Sequence, residues 1–161
     1  MSKRDPLRQQ LSRFTDFGDA HATADAAMAG MEHALQGKRP NGLPHSAWEL
    51  LEHIRITQHD ILDFCINPKY EEMKWPDDYW PKGAAPPAAG SWKKSVAAFR
   101  ADRDALRAMA ENTELDLFAA IPHGDGQTHL RELLLAQDHL SYHVGQLVLV
   151  RQALGAWPPA K

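Results

Sequence analysis

The stretch from Thr128 to Gly155 restricts the fold most, because its apolar residues are spread around nearly the whole circumference of a helix. Thr128 suits an N-cap, and Gly155 followed by 157–159 (Trp-Pro-Pro) ends the helix. At about 1.5 Å per residue the helix is roughly 40 Å long. A helix that is apolar on nearly all sides is buried among other elements. The pattern therefore predicts a central helix surrounded by further helices.

Three earlier segments, 5–35, 46–67 and 91–110, also show helical spacing of apolar residues. Gly18-Asp19 interrupts the first and can split it. Serine and glutamate at 46 and 49 form a capping box, and Asn67-Pro68 ends the second segment. No convincing β-alternation occurs, and 161 residues suit one domain. The predicted N-caps are Asp5, Ser46, Ser91 and Thr128.

Residues 67–90 connect the second and third helices and hold five of the 11 prolines. Four aromatic residues lie among them: Tyr70, Trp75, Tyr79 and Trp80. A loop of this length is uncommon in a compact domain unless it is functional or packed by its own side chains. We interpret it as an ordered Trp-Pro loop over one end of the fold, either an aromatic clamp on the core or a substrate lid. The prediction is all-α: a four-helix bundle with a long crossover loop, in one domain over 1–161.

Composition excludes several classes of partner. The net charge of −3 is a poor match to nucleic acid. No apolar run approaches the roughly 18 residues of a membrane span, and the N-terminus is unlike a signal peptide. Cys65, the single cysteine, excludes an intramolecular disulfide and indicates a reducing compartment. We expect a cytoplasmic protein with neither a nucleic-acid nor a membrane partner.

His139 and His143 lie four residues apart within the apolar last helix. This spacing places both imidazoles on one face, where they can bind one ion at roughly 2.0–2.1 Å. The alternative is a pair of core histidines, each with its own hydrogen-bond partner. We favour the metal, because two buried neutral rings would otherwise need two separate partners.

A third ligand is expected from another helix, and His53 borders the buried stripe of the second helix. It is either that ligand or a boundary residue with one nitrogen in water. His21 follows the break in the first helix and could be a fourth ligand, a donor to a ligand or a structural residue. The remaining candidates are weaker, because they lie in or near loops or away from the apolar stripe: His45, His59, His123 and His129.

Other metal and catalytic motifs are missing from the sequence. Leu140, not glutamate, follows His139, which excludes the zincin pattern. No Glu-x-x-His occurs, so a carboxylate-bridged di-iron bundle is excluded. Four polar residues are candidates for a general base, or for the acceptor of a hydrogen bond from the second ring nitrogen of a ligand histidine. The alternative is that they cap or solvate helix ends, which we favour for Glu49. The four candidates are Glu49, Asp60, Glu132 and Gln146.

Segments 43–53 (LPHSAWELLEH) and 138–147 (DHLSYHVGQL) resemble the second-helix and fourth-helix signatures of the DinB-like (YfiT-like) family of metalloenzymes. The resemblance extends over about 19–157. It implies a four-helix bundle with a divalent ion held between the second and fourth helices by His53, His139 and His143. It also implies a homodimer. Characterised relatives of this family transfer low-molecular-weight thiols or are metal-dependent hydrolases.

Two functions remain open at this point. The first is a metal-dependent hydrolase or thiol S-transferase acting on a small molecule, since three imidazoles leave a coordination position free. The second is a non-catalytic metal-binding or stress-related interaction domain; a haem protein is a more distant alternative. Zinc and nickel both suit imidazole ligands.

Overall fold

The computed structural model describes residues 5–16 and 18–159, and its regular structure is helical. Across these residues there is no β-strand, only an isolated antiparallel bridge between Ala120 and Thr128. The all-α prediction is therefore confirmed. The helices are α1 (Pro6–Phe14), α2 (Ala24–Met28), α3 (His33–Gln36), α4 (Ala47–Ile66), α5 (Ser91–Glu111) and α6 (His129–Ala153), with a 3-10 turn at Asp77–Tyr79.

Three of the four predicted N-caps are correct. Asp5 accepts hydrogen bonds from the first turn of α1, and the Thr128 hydroxyl accepts one from the Arg131 amide. Ser46 and Glu49 form the reciprocal capping box of α4. Ser91 is not the cap of α5. It is the first helical residue, and the cap is Gly90 at φ 84°, a left-handed turn that glycine adopts without strain.

The first predicted helix is three short ones. A Cβ on Gly18 would lie 2.7 Å from a Thr23 side-chain carbon, and Thr23 itself caps α2. The break at Gly18-Asp19 was predicted. A second break follows α2, where Gly30 takes φ 59°. That break was not predicted, because the apolar spacing continues across it.

Helix α4 packs against both α5 and α6, and α1 and α2 cover other parts of α5 and α6. Buried side chains form two clusters, and α6 contributes to both. The first lies near the N-terminal half of α4 and includes Trp48, Leu50, Phe99, Val144 and Leu147. The second lies near its C-terminal half and includes Ile61, Leu62, Leu106, Leu117 and Leu133.

Helix α6 is central, but it is not buried on all sides. Leu134, Tyr142 and Leu149 are exposed, and their separations of eight and seven residues place them on one face. The sequence pattern alone did not indicate this, because an apolar residue looks the same whether or not another element covers it. No helix in the described parts of the chain combines the length and the apolar character that a membrane span requires.

The segment 67–90, here called the Trp-Pro segment, is tied to α4 at several points. The hydroxyls of Tyr70 and Tyr79 donate to Asp60. Trp80 packs against the first core cluster, whereas Trp75 is 70% exposed. The segment therefore places one half-buried indole against the core and one at the surface, both beside His53 of α4.

Candidate metal centre

His53 on α4 and His139 and His143 on α6 lie together in the structure. The Nε2 atom of His53 is 3.1 Å from Nε2 of His143 and 3.1 Å from Nε2 of His139. One nitrogen of each ring lies within 4.8 Å of one nitrogen of both others. His53 is only 2% exposed, so it is not a boundary residue with one nitrogen in water. The arrangement is one that could hold a metal ion.

The outer ring nitrogens have fixed hydrogen-bond acceptors. Nδ1 of His53 donates to the backbone carbonyl of Tyr79 at 2.9 Å. Nδ1 of His143 donates to Oε1 of Gln146 at 2.8 Å. A neutral imidazole carries one N–H, so a donor at Nδ1 leaves a lone pair at Nε2. Both rings therefore direct lone pairs towards the centre of the group.

This donor set fits a divalent ion. Two nitrogen lone pairs 3.1 Å apart repel each other unless a cation lies between them, and no proton is left for the contact between His53 and His143. His139 can donate to His53, but it does not relieve that contact. A tetrahedral ion with bonds of about 2.0–2.1 Å would hold its ligand nitrogens about 3.3 Å apart, close to the spacing found.

Burial keeps these imidazoles neutral. Removal from water lowers the pKa of His53 to about 4, with the neighbouring rings of His143 and His45 adding to this effect and the Tyr79 hydrogen bond opposing it. Burial likewise lowers the pKa of His139 to about 3 and that of His143 below its ordinary value. Neutral imidazole is the form that binds metal, so the site is ready for a ligand role at neutral pH.

Trp80 is stacked between two imidazoles. Its ring lies 3.9 Å from His53 at an interplanar angle of 3° and 4.2 Å from His45 at 17°. His45 was a weak candidate from the sequence because it lies before α4, and Trp80 had no predicted partner. One sequence feature could have indicated that these two rings are held in place. Each lies beside a proline, which restricts the backbone: Pro44 precedes His45, and Pro81 follows Trp80.

Gln146 and Asp60 are connected to the histidines in different ways. Gln146 accepts from His143, which precedes it by three residues on α6, as the acceptor alternative predicted. Asp60 reaches the group only through Tyr79, whose hydroxyl donates to the carboxylate at 2.7 Å and whose carbonyl accepts from His53. Gln146 is therefore a direct partner of a candidate ligand, and Asp60 is an indirect one.

Glu49 and Glu132 do not reach the histidines. Glu49 caps α4, as the capping alternative predicted, and pairs with Arg39. Burial alone would raise the pKa of its carboxyl, but these contacts outweigh burial and hold the pKa below the usual range. Glu132 is buried and pairs with Arg131 at 2.6 Å. In the described parts of the chain, no carboxylate makes a hydrogen bond or ion pair with the three histidines.

The remaining histidines lie elsewhere. His21 is exposed and its Nδ1 donates to the Ala22 carbonyl, so it does not join the group as a fourth ligand. His59 is exposed beside Asp102, and His123 donates to the Phe64 carbonyl. His129 is half-buried at the start of α6. Of the residues that the structure describes, only His53, His139 and His143 form a group able to hold an ion.

Comparison with known proteins agrees with this geometry at the level of the family. No curated protein and no solved structure matches the chain. The family model described as the DinB superfamily matches residues 17–147, which is most of the chain and contains all three histidines together with the Trp-Pro segment. The resemblance drawn from the two sequence segments is thereby confirmed. The chain belongs to the DinB superfamily.

Proposed function

We propose that this protein is a metal-dependent enzyme, a hydrolase or a low-molecular-weight-thiol S-transferase, acting on a small molecule. Its scaffold would be a four-helix bundle formed by α1, α4, α5 and α6. The carrying observation is the convergence of three neutral imidazoles, of which His53 and His143 face each other through Nε2 atoms with no proton between them. Three protein ligands leave a coordination position for a substrate, whereas a structural ion is usually closed by four.

Each residue around the centre has a defined part in this proposal. His53, His139 and His143 would hold a divalent ion such as zinc or nickel, which when bound supplies a Lewis acid. The Tyr79 carbonyl and Gln146 orient two of the rings through their Nδ1 atoms. Trp80 covers one face of His53 and keeps water from it. His139 is the least buried of the three, so a substrate would approach from its side.

The surroundings of the histidines favour a thiol over water as the group that loses a proton. No carboxylate in the described residues is in direct contact to act as a general base. Free in solution, a thiol has a pKa of about 8.5 and water a pKa of about 15.7, and a bound ion would lower both from these starting points. A thiol therefore needs less help from a base. Of the two reactions, we favour S-transfer.

The metal is tested by elemental analysis of protein purified without an affinity tag. We expect close to one divalent ion per chain, and its loss in His143→Ala. The matched control is His59→Ala, which removes an exposed histidine paired with Asp102 and should leave the metal content unchanged. An unchanged metal content in His143→Ala would contradict the proposal.

The reaction is tested by offering the metal-loaded protein thiol adducts and esters in parallel. Turnover with thiols that disappears on chelation and in His143→Ala supports S-transfer, and turnover with esters alone supports hydrolysis. Equal rates for the wild type and His143→Ala would show that the reaction does not use this site.

A non-catalytic interaction domain is the second candidate, and the exposed face of α6 favours it. Leu134, Tyr142 and Leu149 lie on that face, and Tyr142 is 64% exposed beside His143. Exposed large apolar side chains that share one helix face are typical of a protein contact. We propose that a second copy covers it, giving a homodimer. Analytical ultracentrifugation measures the mass of both proteins in solution. A dimeric wild type and a monomeric Tyr142→Ser would support this, whereas the same mass for both would contradict it.

A further inference from the structure

Residues of α4 and α6 line part of a polar cavity that does not include the three histidines. The cleft has a volume of about 400 Å³. Asp60 on its α4 wall follows His53 by seven residues, and Glu132 on its α6 wall precedes His139 by seven. Seven residues of helix correspond to about 10 Å along the axis. We call this cavity the acidic cleft; it lies two helical turns from the histidines.

Negative charge predominates in the acidic cleft. Four carboxylates line it, from Asp60, Glu72, Asp125 and Glu132, against a single arginine, Arg131. The guanidinium of Arg131 is already paired with Glu132 at 2.6 Å. The lining therefore attracts a cation and disfavours an anion.

Glu132 has a carboxylate oxygen without a hydrogen-bond donor. The residue is 2% exposed, and its Oε1 atom accepts from Arg131. In the described residues no hydrogen bond reaches its Oε2 atom, although the side chain lines the cleft. Asp60 differs, because each of its oxygens accepts from a tyrosine hydroxyl. The Oε2 atom is not enclosed by the protein, so it is open to the cleft and can accept from a donor bound there.

The cleft suits an organic cation better than a metal ion. Its carboxylates are too dispersed to chelate one ion, since in the described part of the chain only the three histidines bring their ligand atoms within 4.8 Å of one another. Apolar side chains of Ile61, Phe64 and Leu135 form part of the lining, and the rings of Tyr70 and Tyr79 form another part. Such walls pack against an alkyl or aryl body, and aromatic rings attract an ammonium group.

We propose that the acidic cleft binds the ammonium group of an organic amine. This ammonium group lies at one end of the substrate and donates a hydrogen bond to Glu132. The rest of the molecule would extend along α4 and α6 past Tyr79, which lines the cleft and contacts His53, with its reacting group about 10 Å away at the histidines. This names the substrate class of the proposed enzyme as an amine that carries a thiol or ester. Only the reacting end rests on the proposed function, because the ammonium site is independent of a metal.

Binding is tested with phenethylamine and its neutral counterpart 2-phenylethanol, followed by NMR on the full chain. We expect saturable binding of the amine, with shifts at Tyr70, Tyr79 and Leu135, and at least about tenfold weaker binding of the alcohol. Glu132→Gln should weaken amine binding by about tenfold, and the exposed control Glu114→Gln should leave it unchanged. Equal binding of the amine and the alcohol to wild-type protein would overturn the proposal, even if Glu132→Gln failed to fold.

The same measurement on His143→Ala separates this proposal from the metal proposal. Amine binding that survives in this variant supports the acidic cleft whether or not the wild type holds a metal. If wild-type protein holds a metal but binds the amine no better than the alcohol, the acidic-cleft proposal is overturned and the metal proposal stands.

Discussion

The histidine end and the acidic end of the α4 and α6 pair differ in their electrostatics, although the same two helices carry both. At the histidine end, three uncharged rings bring their nitrogens within 4.8 Å. At the acidic end, formally charged side chains surround a cleft of about 400 Å³. The first is compact enough for one ion held by neutral nitrogen ligands, and the second is wide enough for an organic cation. Both ends attract positive charge, but they select different sizes of cation.

Tyr79 joins these two ends. Its backbone carbonyl accepts from His53, and its hydroxyl donates to Asp60 in the acidic cleft. Burial and the Asp60 carboxylate both raise the pKa of the Tyr79 hydroxyl, so this group remains a donor at neutral pH. The Trp-Pro segment thus orients a candidate ligand at one end and stabilises a carboxylate at the other.

The largest expected difference between the two ends is the effect of a chelator on stability. A ligand at a thousandfold excess over its dissociation constant stabilises the folded state by roughly 4 kcal/mol. We expect chelation to lower the melting temperature of wild-type protein and of Glu132→Gln, and to leave that of His143→Ala unchanged. Calorimetry with and without chelator measures it. A response that is lost in Glu132→Gln would mean that the two ends are not separate sites.

Acid should destabilise the metal-free protein through the histidine end. Burial lowers the folded-state pKa of His53 to about 4 and that of His139 to about 3, from 6.5. Between the folded-state pKa values and 6.5, the unfolded chain therefore binds more protons than the folded one. The free energy of unfolding then falls as the pH drops below about 6.5. Each histidine contributes at most about 1.4 kcal/mol per pH unit. Urea denaturation in chelator at pH 7.0, 6.0 and 5.5 measures the loss.

The pH window keeps the carboxylates out of that measurement. The pKa values of Asp25, Glu49 and Glu52 are lowered by their arginine partners, so their contributions are lost only under more acidic conditions. Replacement of His139 by Gln should reduce the dependence on pH above 5.5. A dependence that is as steep in this variant as in the wild type would assign it to other groups.

The sequence predicted those parts of the site that local spacing determines. His139 and His143 share a face because they are four residues apart, and His53 follows the apolar stripe of α4. Thr128 and Ser46 were predicted as caps because a cap depends on a few neighbouring residues. Spacing therefore selected the pair on α6, whereas His53 had two open interpretations until the family resemblance implied it as the third ligand.

The remainder depends on contacts between residues far apart in the chain. Trp80 stacks on His53 from 27 positions away, and a backbone carbonyl, that of Tyr79, is the partner of this ring. No side-chain pattern encodes a backbone acceptor. The acidic cleft is similar, because Asp60 and Glu132 come together only once α4 packs against α6.

Removal of the Gln146 acceptor should weaken metal binding without affecting the acidic cleft. Gln146→Leu keeps a similar volume but leaves Nδ1 of His143 without its partner. Loss of such an outer partner typically lowers metal affinity by about 10–100-fold. The exposed Gln152→Leu on the same helix is the control. Competition with a chromophoric chelator gives the affinity, and equal affinities for the two variants would show that Gln146 does not orient the ligand.

The smallest expected effect comes from a pair of glycine substitutions. A Cβ on Gly124, at the acidic cleft, would lie 2.8 Å from a Phe64 ring carbon and 2.7 Å from Gln127 Oε1, whereas nothing lies within 4 Å at Gly145 of α6. Gly124→Ala should therefore cost about 1 kcal/mol and weaken amine binding while metal binding persists. Gly145→Ala should stabilise the helix by about 0.5–1 kcal/mol. Urea denaturation measures both, and destabilisation by Gly145→Ala would instead indicate that another molecule packs closely on the exposed face of α6.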